Sequence, residues 1–60
     1  MDYDAVEYAA RQAESEERYR AAYGLWKQLV TDARNNQKFK EPGRLVGWIE
    51  NMIRCEANMT

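Results

Sequence analysis

Residues 10–26 read ARQAESEERYRAAYGLW, and the fold turns on the middle of that stretch. Upstream, Tyr3, Val6, Ala10 and Ala13 are spaced three and four apart, with Tyr8 and Ala9 widening the stripe, as on one face of a helix. A single straight helix would next need apolar residues at Glu17, Arg20, Gly24 and Lys27. Instead a new stripe begins at Tyr19 and continues through Ala22, Tyr23, Trp26, Leu29, Val30 and Ala33. The break in phase predicts two helices. Ser15 is placed to cap the second by accepting a free backbone N–H, with Glu16 and Glu17 in a first turn whose dipole favours anions. One helix running through residue 18 stays open, because no glycine or proline marks the turn.

Outward from this junction, the second helix is expected to end around Arg34 to Asn36. There a basic residue meets the negative end of the dipole, and two asparagines tolerate a left-handed cap. Gln37 to Glu41 form a polar loop, and Pro42 suits the first position of a third helix, where its missing N–H costs nothing. Leu45, Val46, Trp48, Ile49, Met52 and Ile53 give that helix a broad apolar face, and Gly47 within it would admit a bulky neighbour. No segment alternates with period two for the length of a strand. The reading is an all-α single domain over residues 1–60, with helices at about 2–16, 18–36 and 42–56, the first two forming an αα-hairpin. Residues 57–60 are expected to fray.

A chain of 60 residues buries only about 60% of its unfolded surface, so help from a disulfide, a metal or a partner is expected. Cys55 is the sole cysteine and there is no histidine, which excludes an internal disulfide and a Cys/His zinc site. No cofactor is called for. A partner remains, and a helical homodimer is the first expectation. The acidic start, Met1-Asp2-Tyr3-Asp4, and the lack of an apolar run of about 20 residues point to a soluble, cytoplasmic chain with no membrane role.

The net charge of −1 argues against a dedicated nucleic-acid binder. Its distribution is uneven: residues 1–17 carry −5 and residues 18–44 carry +5. Such a split suits antiparallel helices in one chain or two copies packed head to tail, although solvated faces that merely segregate would look the same.

Catalytic groups are not in evidence. There is no histidine, no Gly-rich phosphate loop, and no Ser or Cys beside a base. Glu14, Glu16 and Glu17 read as a solvated helix start, and Cys55 as a small, semi-buried packing residue. Lys38, Lys40 and Arg44 surround Phe39 and are the candidate phosphate contacts of an alternative reading, a small dimeric DNA-binding regulator. Aromatic residues are the surplus, at 12% of the chain. Tyr19, Tyr23, Trp26 and Leu29 on the second helix, and Leu45, Trp48, Ile49, Met52 and Ile53 on the third, are candidates for core or for a protein interface. A phage structural or assembly module is a further alternative.

The pattern Ala10, Ala13-Glu14, Tyr19, Ala22, Leu25-Trp26 resembles the ANR family, small bacterial and phage proteins known as AraC negative regulators. Ala33, Asn36, Arg54 and Cys55 echo family features further along. Members often carry leucine before the glutamate and glycine two residues before the tyrosine, where this chain has Ala13 and Glu17. The resemblance implies a short helical protein that binds AraC-type transcriptional activators and hinders their dimerisation or DNA binding, lowering expression of virulence or colonisation genes. The Tyr19, Ala22, Trp26 spacing also fits one tetratricopeptide-like hairpin, for which the third helix would be the cap.

Overall fold

The computed structural model describes residues 1–60 and contains three helices and no strand: α1 (Tyr3–Ser15), α2 (Tyr19–Arg34) and α3 (Pro42–Ala57). Tyr3 at the start of α1 meets Asp32 and Asn36 at the end of α2. Asp4 and Glu14 meet Arg44 and Arg54 of α3. The path is therefore up, down, up, with α1 and α3 parallel and both packed on the antiparallel α2. The radius of gyration, 11.0 Å, is close to the ~10 Å expected of a packed chain this long.

The junction read from the phase break is a turn, made differently from the expectation. Ser15 is the last residue of α1, and its hydroxyl donates to the Gln12 carbonyl at 2.8 Å; it does not cap α2, whose N-cap Arg18 has no side-chain cap bond. What stops α1 is a pair of backbone bonds, Arg18 N–H to the Ala13 carbonyl at 2.8 Å and Glu17 N–H to the Glu14 carbonyl at 2.9 Å. This is the Schellman arrangement, which requires a left-handed residue just past the helix. Glu17 takes that role with φ 60° and is the one non-glycine residue at positive φ. A side chain there costs about 1–2 kcal/mol that glycine avoids.

Side chains close three of the other helix ends. Asp2 caps α1 by accepting the Ala5 N–H at 3.2 Å. Asn35 closes α2 with φ −97°, outside the left-handed region the sequence reading expected, and its amide donates to the Thr31 carbonyl at 2.9 Å. Pro42 opens α3 as expected. Past the end of α3, the Asn58 amide donates to the Arg54 carbonyl, and the Met59 N–H to the Glu56 carbonyl.

Nine residues form the core: Ala10, Ala13, Ala22, Trp26, Leu29, Val30, Ala33, Trp48 and Cys55. Four alanines surround two tryptophans, so small residues give the helices room to close on large ones, as dense packing requires. Phe39, from the loop read as polar, turns inward and joins Tyr3 and Trp48 in a triangle with ring centroids 5.3–5.6 Å apart. Gly47 admits no bulky neighbour, because a Cβ there would meet nothing within 4 Å.

Two substitutions should therefore raise stability. Gly47→Ala fills open helix surface and Glu17→Gly relieves the left-handed strain, each by about 0.5–1 kcal/mol. Urea unfolding followed by circular dichroism reads both. A lower midpoint for Glu17→Gly would show that the turn does not hold the left-handed geometry.

Candidate protein-interaction surface

Glu7 and Glu14 stand two helical turns apart on α1, and each sits under a tryptophan N–H and an arginine of α3. Trp48 Nε1 donates to Glu7 at 2.6 Å, with the Arg44 Nε at 3.6 Å. Trp26 Nε1 donates to Glu14 at 3.4 Å, and Arg54 clasps the same carboxylate through two bonds of 2.6 and 2.9 Å. Both tryptophans are buried, so these carboxylates satisfy polar N–H groups that would otherwise lie unpaired in the core. The Arg54 guanidinium holds the Glu14 carboxyl below its ordinary range despite partial burial. Glu14 is thus a structural link among all three helices, not the solvated residue inferred from sequence; Glu16 and Glu17 are exposed.

The same frame also places Arg44 and Cys55. Arg44 is engaged by Asp4, Glu7 and Glu41 and lies over the Trp48 ring at 5.1 Å. The basic set of Lys38, Lys40 and Arg44 is therefore not assembled as a free phosphate patch, although Lys38 and Lys40 are exposed. Cys55 is fully buried, more so than expected, and burial pushes its thiol up. A thiol held protonated is a poor nucleophile.

The predicted interface residues divide. Trp26, Leu29 and Trp48 are enclosed in the core of a single chain and present no surface. Tyr19, Tyr23, Leu45, Ile49 and Met52 are half-buried against that core. Ile53 is 56% exposed, and Val46, read from sequence only as part of the broad apolar face, is 52% exposed. Val46, Ile49 and Ile53 are spaced three and four apart, which places them within about 60° of one another around α3. They lie on the flank away from Arg44, which turns toward α1.

Beside this apolar row runs a charged one that sequence reading left undivided. The acidic charge of α1 is answered by Arg44 and Arg54 of α3, not by α2. Arg20, Lys27 and Arg34 on α2 consequently have no salt bridge within the chain, and all three are exposed. Their spacing of seven residues keeps them in one line, about 140° around the helix from the α1-facing Asp32. Lys27 leans over the half-buried Tyr23 ring at 6.0 Å. The α2–α3 layer thus has, on its side away from α1, a basic row next to an apolar row.

No helix is long and apolar enough to cross a membrane. No family model, curated protein or solved structure matches the chain.

Proposed function

We propose that this chain is a protein-binding negative regulator of transcription whose target, following the ANR resemblance, is an AraC-type activator. Binding would occupy a helical segment of the activator and hinder its dimerisation or its contact with DNA. The observation that carries the reading is the outer face of the α2–α3 layer, where exposed Val46 and Ile53 lie beside the unpaired Arg20, Lys27 and Arg34. An amphipathic helix with an acidic edge fits such a face: the apolar row supplies affinity, and the basic row sets orientation.

Two features support aligning the chain with that family. Ala10, Ala13, Ala22, Trp26, Ala33 and Cys55 of the shared pattern converge in one core, and Glu14 and Arg54 clasp at its edge. Position 17, where members often carry glycine, is the position that needs a left-handed residue. The pattern specifies the fold, and target choice falls to the residues outside it.

The test is co-purification of the full chain with an AraC-type activator that includes its linker and dimerisation segment. Retention with a dissociation constant in the low micromolar range or tighter is the expected result. Absence of binding at tens of micromolar would overturn the assignment of the target.

A further inference from the structure

We infer that the outer face of the α2–α3 layer also binds a second copy of this chain, as a two-fold dimer in which α2 of each copy lies against α3 of the other. The inference rests on reading this face as a protein-binding surface, and charge selects the occupant. Along the face, α2 offers Arg20, Lys27 and Arg34, while α3 offers exposed Glu50 and Glu56, none of them in a salt bridge within the chain. A two-fold axis running along the bundle sets the basic row of each copy against the acidic, apolar helix of the other, so the surface is complementary to itself.

The register agrees. Tyr19, Arg20 and Ala21 line the same recess as Asn58 and Met59, and Glu14 bonds both Trp26 and Arg54. Residues of the antiparallel α2 and α3 are therefore level when their numbers sum to about 79. A two-fold axis parallel to the helices preserves level, which brings Lys27 to within about 5 Å along the axis of Glu50 in the second copy, and Arg20 to within about 5 Å of Glu56. Both offsets are within reach of these side chains. Val46 and Ile53 would be covered between them. Two helices of 16 residues present a face of about 24 by 20 Å, which gives a buried area on the order of 1,000 Å² in total, the lower range for a specific interface.

The test uses charge reversal in the full chain, read by sedimentation equilibrium without any activator present. The wild type should dimerise at micromolar concentrations. K27E and E50K should each be monomeric at the same concentrations, since each homodimer would place like charges together at both contacts. An equimolar mixture of the two should dimerise again, because both contacts then pair opposite charges. Circular dichroism checks that each variant is folded, and R20E with E56K provides a second pair should either fail. A wild type that stays monomeric at about 100 μM, single variants that dimerise like the wild type, or a mixture of folded variants that stays monomeric would each overturn the proposal. None of these outcomes depends on whether an activator binds, so failure here and failure of the regulatory reading are separately visible.

Discussion

Trp26→Ala is expected to leave most of the population unfolded at 25 °C. Trp26 is fully buried, on the helix that both others pack against, and its N–H reaches Glu14 across the α1–α2 boundary. Truncating a buried tryptophan costs about 3–5 kcal/mol. A single core in a chain this short rarely supplies more than about 3–5 kcal/mol, so the loss takes most or all of it. Far-UV circular dichroism should show the helical signal largely gone. Trp26→Phe should be milder, since a smaller aromatic ring still fills much of the site and Glu14 is still held by Arg54. A Trp26→Ala variant that melts within a few degrees of the wild type would mean that the core is not centred on this residue.

The second large effect concerns a residue on the surface side of the core. Glu14→Ala should cost about 2 kcal/mol, because it strands the Trp26 N–H and removes the charge-assisted clasp on Arg54. Glu14→Gln keeps the shape and isolates the charge. The folded-state pKa of Glu14 is lowered by Arg54 from the ordinary 4.5, so the unfolded chain takes up the proton first as pH falls. The stabilisation is then fully present above the unfolded value and is lost as pH drops through the folded one. Wild type should exceed Glu14→Gln in urea midpoint at pH 7, and the gap should close at an acidic pH below the ordinary carboxylate range. A gap of equal size at both pH values would show that the carboxylate charge is not the source.

These two residues mark where sequence reading succeeded and where it stopped. The helices were legible because burial imposes a period, and the stripe from Tyr19 to Ala33 could satisfy only an α-helix. The phase break found the junction, yet its chemistry was hidden: a left-handed glutamate carries no composition signal, whereas glycine would have. Glu14 was misread because the acidic run around it resembles a solvated helix start. Only the tertiary arrangement brings Arg54, 40 residues away, onto its carboxylate.

The surface was less legible still. Which basic residues are spent and which are free depends on pairing between helices distant in sequence. Arg44 looked available and is held by three carboxylates, while Arg20, Lys27 and Arg34, part of the same basic stretch, form the unpaired row. Trp26 and Trp48 qualified as interface anchors by type, but four core alanines make room for both inside one chain. Of the seven aromatic side chains, Tyr8 alone is mostly exposed, at 67%.

The proposed site of action is the outer face of α2 and α3. It is tested most directly by titrating the linker and dimerisation segment of an AraC-type activator with the wild type and with the double variant Val46→Asp, Ile53→Asp. Both replaced side chains are more than half exposed in the single chain, so the variant should remain a folded helical protein, which circular dichroism checks. Low-micromolar or tighter binding is expected of the wild type, and at least about tenfold weaker binding of the variant, a difference of about 1.4 kcal/mol or more. Equal binding by the two folded proteins, or none by the wild type at about 100 μM, would contradict that site of action.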